Sequence, residues 1–260
     1  MFPLKDDIPT RRFPYVTAAL IAANVVMFFF FQGAFLDDTE FNQKVAEYGA
    51  IPYEVSHPGD ECGPAADGSK LICEGQQGVP DGAPEQPSTW LTILTSMFMH
   101  GGLLHLGGNM LFLWIFGNNI EDSMGPLRYL AFYLLGGVAA VAAQVAIDPS
   151  AVVPTIGASG AVAAVLGAYA LLYPRARVVT LVFIVIFFTI IELPALVVLG
   201  LWFVLQALYG ASELATPVGS GGGVAYFAHI GGFVFGLLLI KLFANHVHED
   251  YERAHRAPVY

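Results

Sequence analysis

Long apolar stretches separated by shorter polar ones dominate the pattern of this chain. Six of them, at roughly 14–35, 103–118, 128–147, 156–173, 194–210 and 224–244, are long enough to consider as membrane spans. Crossing a hydrocarbon core takes about 20 residues at helical rise. The pattern therefore predicts an all-α polytopic membrane protein, a bundle of six transmembrane helices. The first run, Tyr15 to Phe31, is too long for the apolar region of a signal peptide and no small-x-small site follows it, so it is expected to stay as an anchor. Val178–Ile191 is apolar but is followed by Glu192 and Pro194 before the next run. It reads as a cytoplasmic interfacial segment feeding helix five, the rival being one long tilted helix kinked at Pro194.

Composition agrees with a lipid solvent. Of 260 residues 56% are hydrophobic and 12% charged, more apolar surface than a soluble domain of this size could bury. Orientation follows from lysine and arginine. Lys5, Arg11, Arg12, Arg128, Arg175, Arg177, Lys241, Arg253 and Arg256 fall on one side of a six-span layout, and only Lys44 and Lys70 on the other. Both termini are thus expected in the cytoplasm. The chain divides into a cytoplasmic segment at 1–13, helix one at 14–35, an external or interfacial loop at 36–99, a core of helices two to six at 100–244, and a cytoplasmic tail at 245–260. Much of the net charge of -10 sits in the long loop, and so acidic a face excludes nucleic acid as its partner. That loop also holds both cysteines, Cys62 and Cys73, a disulfide candidate in an oxidising compartment. Its stretch from Pro58 to Ser88 is rich in Gly, Pro, Asp and Ser and is expected to be irregular.

With the amino terminus inside, helices two, four and six all begin in the outer leaflet, and there the unusual polar residues collect. Ser159 lies near the start of helix four and His229 near the start of helix six, at depths of roughly 6 and 9 Å. His105 and Asn109 share a face of helix two, spaced i,i+4, with His100 just upstream. Polar groups in hydrocarbon are costly without partners or water, so convergence at one depth points to a functional site. Asn24, Gln144 and Gln206, each alone in its helix, are read as interhelical hydrogen-bonding residues. Gly157 and Gly160 flank Ser159, and Gly232 and Gly236 follow His229 at i+3 and i+7. Small residues let backbones approach closely enough for a serine to reach a histidine on the next helix.

A serine hydroxyl needs a base to become a nucleophile, and neutral imidazole serves near pH 7. No Asp or Glu occurs in the outer halves of helices two, four and six, so the expected unit is a dyad without a carboxylate. Ser159 falls in a first helical turn, where free backbone N–H groups and the helix dipole favour negative charge. With the His105 and Asn109 side chains these could form an oxyanion hole.

His100-Gly-Gly-Leu-Leu-His105-Leu-Gly-Gly-Asn109, Gly157-Ala158-Ser159-Gly160 and Ala228-His229-Ile-Gly-Gly232-Phe-Val-Phe-Gly236, in this order, resemble the motifs of the rhomboid family of intramembrane serine proteases. The resemblance implies that Ser159 and His229 are the catalytic dyad and that His105 and Asn109 support the oxyanion. It also implies a water-filled cavity open to the outside and cleavage in or near transmembrane segments of other proteins, without cofactor or metal. Trp90 to Met99 would face the membrane and helix five would act as a lateral gate. Partners would be transmembrane substrates and the lipid bilayer, and the simple layout suggests a bacterial cytoplasmic membrane. Two positions depart from the family pattern. Trp90-Leu91-Thr92 stands where many relatives carry Trp-Arg, and Ala163 stands where several place an aromatic four residues after the serine.

Other classes fit less well. Asp148 is the nearest approach to a membrane aspartate pair. His100 and His105, five apart, diverge by about 140° around a helix and cannot form the zinc pair of His-Glu-x-x-His. Ala161 breaks the Gly-x-Ser-x-Gly pattern of soluble hydrolases. Glu192 beside Pro194 is the single hint of a transporter, and a helix-entry role is preferred. His246, His248 and His255 read as a solvated tail. The alternative within the family is a catalytically weak or inactive protein that binds membrane clients.

Overall fold

The computed structural model describes residues 2–33, 38–64, 71–75, 87–184, 187–214 and 224–245. The tail histidines His246, His248 and His255, and much of the acidic loop, lie outside them.

Each of the six apolar stretches contains a helix. Helix α1 (Tyr15–Val26) continues as a π-helical turn, Met27–Phe31. Helix α2 (Asp38–Tyr48) and the short α3 (Pro52–Ser56) follow, then strands β2 (Cys62–Pro64) and β3 (Leu71–Cys73) and helix α4 (Thr89–Ser96), β1 being the amino-terminal Phe2–Asp6. Helix α5 (Leu103–Phe112) runs through a π turn at Leu113–Gly117 into α6 (Asn118–Met124). Helices α7 (Pro126–Ile147) and α8 (Ser159–Leu172), strands β4 (Arg177–Ile184) and β5 (Phe187–Pro194), and helices α9 (Ala195–Leu214) and α10 (Tyr226–Phe243) complete the order. Among the described residues three helices, α7, α9 and α10, are long and apolar enough to cross a membrane. Tyr15–Phe31 and Ser159–Leu172 are apolar but shorter.

The all-α expectation is corrected at two places. Val178–Ile191 is not the start of a long kinked helix, and as a segment leading into α9 it is built of strand. It forms most of an antiparallel hairpin, with Val178 opposite Leu193 and Leu181 opposite Ile190. Runs of Val, Thr, Ile and Phe fit a pleated surface better than a helix, and Pro194 ends the strand directly before α9 starts. Strand β1 adds to the other edge of β4, giving the order β1-β4-β5. The second sheet lies in the long loop, where β2 and β3 bring Cys62 opposite Cys73 and a disulfide joins them.

The core lies between α8 and its neighbours. Every residue of α8 from Gly160 to Ala170 is buried, as a helix apolar on all sides requires. Its contact with α10 is made backbone to backbone. A methyl at Gly167 would strike the carbonyl of Phe233, one at Gly232 that of Gly160, and one at Gly236 that of Ala164.

Buried polar side chains tie the periphery to this core. Glu121 accepts the backbone N–H groups of Val16 at 3.0 Å and Thr17 at 2.8 Å, and the Thr17 hydroxyl at 2.8 Å. It thereby caps the first turn of α1, whose N–H groups have no acceptor within the helix. Asp6 on β1 accepts hydrogen bonds from Asn119 Nδ2 and the Tyr169 hydroxyl, both at 2.6 Å. Burial pushes its carboxyl up to about 6. In the long loop Glu54 accepts the Cys62 N–H at 2.8 Å, and burial outweighs that bond and raises its carboxyl to about 7. Glu192 pairs with Arg177 across the hairpin at 3.3 Å, with both side chains more than half exposed, a contact worth little.

Candidate active site

Ser159 is the first residue of α8, and the chain reaches it through a tight approach. Gly157 N–H donates to the Ser96 carbonyl at 2.9 Å, and Ala50 and Thr155 exchange backbone hydrogen bonds, so the loop before the serine is braced by α4 and by the long loop. Gly157 has φ +126°, a conformation that L side chains rarely adopt, and a Cβ there would lie 2.8 Å from His105 Nε2 and 3.3 Å from Ser159 Oγ. Glycine is required both by the backbone and by the space.

His229, in the first turn of α10, faces the serine. Its Nε2 lies 2.7 Å from Ser159 Oγ. The start of α10 is held by Gln144 of α7, whose Oε1 accepts the N–H of Ala228 at 3.2 Å. The other imidazole nitrogen, Nδ1, lies 2.8 Å from Oε1 of Gln206 on α9. Trp202, one turn earlier on α9, sets its ring beside the imidazole at 5.8 Å between centroids. Ala163 is 3.3 Å from where a Cβ on Gly232 would lie. The aromatic neighbour of His229 comes from α9.

His105 and Asn109 are brought to the same place by α5. His105 Nδ1 accepts the N–H of Gly101 at 3.3 Å, which leaves Nε2, the atom on the side of Gly157, to carry the proton. Asn109 is buried, and its amide nitrogen has no hydrogen-bond partner among the described residues. His100 is fully buried behind His105, its ring edge-on at 5.1 Å, and its backbone is clamped by Gln32. That side chain accepts the His100 N–H at 2.9 Å and donates to its carbonyl at 3.1 Å.

These groups line a cavity of about 530 Å³, to which Ser159, His229, His105, Asn109 and Trp202 all contribute. A hydroxyl hydrogen-bonded to an imidazole, with a free amide donor and an imidazole N–H nearby, is a set suited to nucleophilic attack on a carbonyl. Beside the cavity, α4 buries Thr92, Ile93 and Ser96 and exposes Trp90, Leu91 and Leu94. Among the described residues no group of His, Cys, Asp and Glu could hold a metal ion.

Of the three polar residues read as interhelical contacts, Asn24 donates to Leu20 of its own helix at 2.7 Å and Gln144 steadies α10. Gln206 touches the candidate base, a partner that nothing in its apolar sequence context singles out.

Comparison with known proteins gives a match between residues 87–246 and the Rhomboid domain. The chain is 32% identical over 158 residues to Rhomboid protein 1, mitochondrial, of Saccharomyces cerevisiae, covering 57% of this chain and 40% of that protein. It is 38% identical over 79 residues to Rhomboid protease GluP of Bacillus subtilis, covering 30% of this chain and 15% of that protein. A presenilin-associated rhomboid-like protein A, mitochondrial, of Danio rerio is 31% identical over 96 residues, 36% of this chain and 25% of that protein. The chain thus spans two fifths or less of the length of these relatives. Mitochondrial proteins prominent among them give no support to a bacterial cytoplasmic membrane, and what stands is an integral, multi-pass membrane protein. By its sequence match across more than half its length, the chain belongs to the rhomboid family.

Proposed function

We propose that the chain is an intramembrane serine endopeptidase that cuts peptide bonds in or near transmembrane segments of other membrane proteins. The observation that carries this reading is the 2.7 Å contact between Ser159 Oγ and His229 Nε2 in a cavity that also holds the Asn109 amide, a donor without a partner among the described residues. As Oγ bonds to the substrate carbonyl carbon, its proton passes to Nε2 and the carbonyl π electrons move onto oxygen. That oxyanion is met by the His105 Nε2–H, the Asn109 amide and the first-turn N–H groups of α8. Collapse of the intermediate breaks the C–N bond, the leaving amine takes the proton from Nε2, and an acyl-enzyme remains. Water then repeats the sequence, giving its proton to Nε2 and its oxygen to the acyl carbon.

A six-span topology with both termini in the cytoplasm belongs to the same proposal. It is supported by a helix in each of the six apolar stretches, three of them long enough to cross a membrane, and by the distribution of nine cationic residues against two. The test is labelling by a rhodamine-tagged fluorophosphonate of wild type, Ser159→Ala and His229→Ala purified in mild detergent. Wild type alone is expected to label. A folded wild type that labels no more than Ser159→Ala would overturn the reading and leave a client-binding protein in its place.

A further inference from the structure

We infer that Gln206 is a positioning residue for the candidate dyad, setting the tautomer of His229 from the neighbouring helix α9; the inference rests on the proposed Ser159–His229 chemistry. Neutral imidazole carries one proton. To accept the serine proton, Nε2 must be bare, so the proton has to sit on Nδ1 and needs an acceptor there. Gln206 Oε1, 2.8 Å from Nδ1, is that acceptor. With the opposite tautomer Nε2–H would point at Ser159 and could take no proton from it. When Nε2 gains the serine proton, the Nδ1–H bond to Oε1 becomes charge-assisted and strengthens as the imidazolium forms. That gain falls in the transition state, where an interaction raises the rate.

An amide suits this position better than a carboxylate. Gln206 lies on α9, a helix apolar enough to cross a membrane, where an Asp or Glu would carry a heavy desolvation cost whenever the imidazole is neutral. A glutamine offers the oxygen without the charge. The second contact comes from the same face of α9, since Trp202 precedes Gln206 by one turn and lies tilted 39° against the imidazole. One helix face thereby fixes both the proton and the ring plane of His229, in a chain whose α8 supplies only Ala163 at the corresponding place.

The rate of fluorophosphonate labelling is followed against probe concentration for wild type, Gln206→Met and Gln206→Glu, with Ser159→Ala and His229→Ala as references. Gln206→Met keeps the length and loses the acceptor. Its maximal labelling rate is expected to fall about 10- to 100-fold with the half-saturating probe concentration within about two-fold, less than the loss on disturbing a triad carboxylate. Gln206→Glu returns an oxygen at that desolvation cost and is expected to label faster than Gln206→Met though slower than wild type, which a packing role would not produce. A Gln206→Met rate within two-fold of wild type overturns the inference, as does a Gln206→Glu rate as low as that of Gln206→Met. Should Gln206→Met fail to fold, the ¹⁵N spectrum of histidine-labelled wild type, with the His229 signals assigned by difference from His229→Asn, decides the matter. Protonated Nδ1 with bare Nε2 supports it and the reverse tautomer overturns it. Silent Ser159→Ala and His229→Ala beside an unaffected Gln206→Met would remove this inference alone, whereas an unlabelled wild type would remove the dyad reading with it.

Discussion

Adding one methyl group at Gly232 should disable the site without touching either reacting residue. A Cβ there would overlap the Gly160 carbonyl oxygen and sit 3.3 Å from Ala163 Cβ. Neither neighbour can yield, since one is helix backbone and the other a methyl on a fully buried residue, so α8 and α10 must part by about 1 Å to restore ordinary contact. Ser159 and His229 ride on these two helices. Their 2.7 Å contact would open to about 3.7 Å, beyond hydrogen-bond reach, and a displacement of that size costs on the order of 10²-fold in rate. Overpacking should also lower stability by about 1–3 kcal/mol. The assay pairs fluorophosphonate labelling with thermal unfolding in detergent, using Gly200→Ala as control because a Cβ at that position on α9 meets nothing within 4 Å. The control should neither slow labelling nor lower the unfolding temperature. Folded Gly232→Ala that labels within two-fold of wild type would refute the idea that backbone contact between α8 and α10 sets the distance.

Three further outcomes follow from other parts of the structure. Asn109→Leu, which removes an amide donor that has no partner among the described residues, should lower the maximal labelling rate about 10²-fold with little change in probe affinity, and a loss of affinity with the maximal rate unchanged would place Asn109 outside the transition state. Glu54 has its carboxyl raised from 4.5 to about 7, so the folded chain holds that proton more tightly than the unfolded one. The associated stability is complete below about pH 4.5 and lost as pH rises to 7, on the order of 3 kcal/mol; a Tm profile for Glu54→Gln still as steep as wild type over that window would contradict this. Glu121→Ala strips two backbone N–H groups and a hydroxyl of their acceptor and should cost about 2–4 kcal/mol, read as a lowered Tm that Glu121→Gln partly recovers.

The helices were legible because lipid imposes a length and a composition on whatever crosses it, and each of the six apolar stretches does contain a helix. Convergence was legible too, since Ser159, His229, His105 and Asn109, expected near one level of the bundle, line one cavity. The sheet was not, since β1 pairs with β4 across more than 170 residues of chain and an apolar run the length of Val178–Ile191 reads equally as helix or strand. Its Val, Ile and Thr content was the available signal. Glu121 and Gln206 escaped for another reason. A polar side chain announces that it needs a partner, but which partner depends on helix rotation, and the turn-by-turn phase of α9 against α10 is not written in either segment alone.

The groups around the imidazole sit on two kinds of support. Between α8 and α10 the glycines lock backbone to backbone, a joint with almost no give. Gln206 and Trp202 belong instead to α9, whose Leu196, Val197, Leu201, Val204, Leu205 and Leu208 stand at least 40% exposed and whose placement is therefore shared between protein and acyl chains. On the proposed Ser159–His229 chemistry, bilayer thickness and lateral pressure would act on the rate through that helix. Labelling in nanodiscs of short- and long-chain phosphatidylcholine should differ more for wild type than for Gln206→Met, the outcome expected of a site tuned by the surrounding lipid.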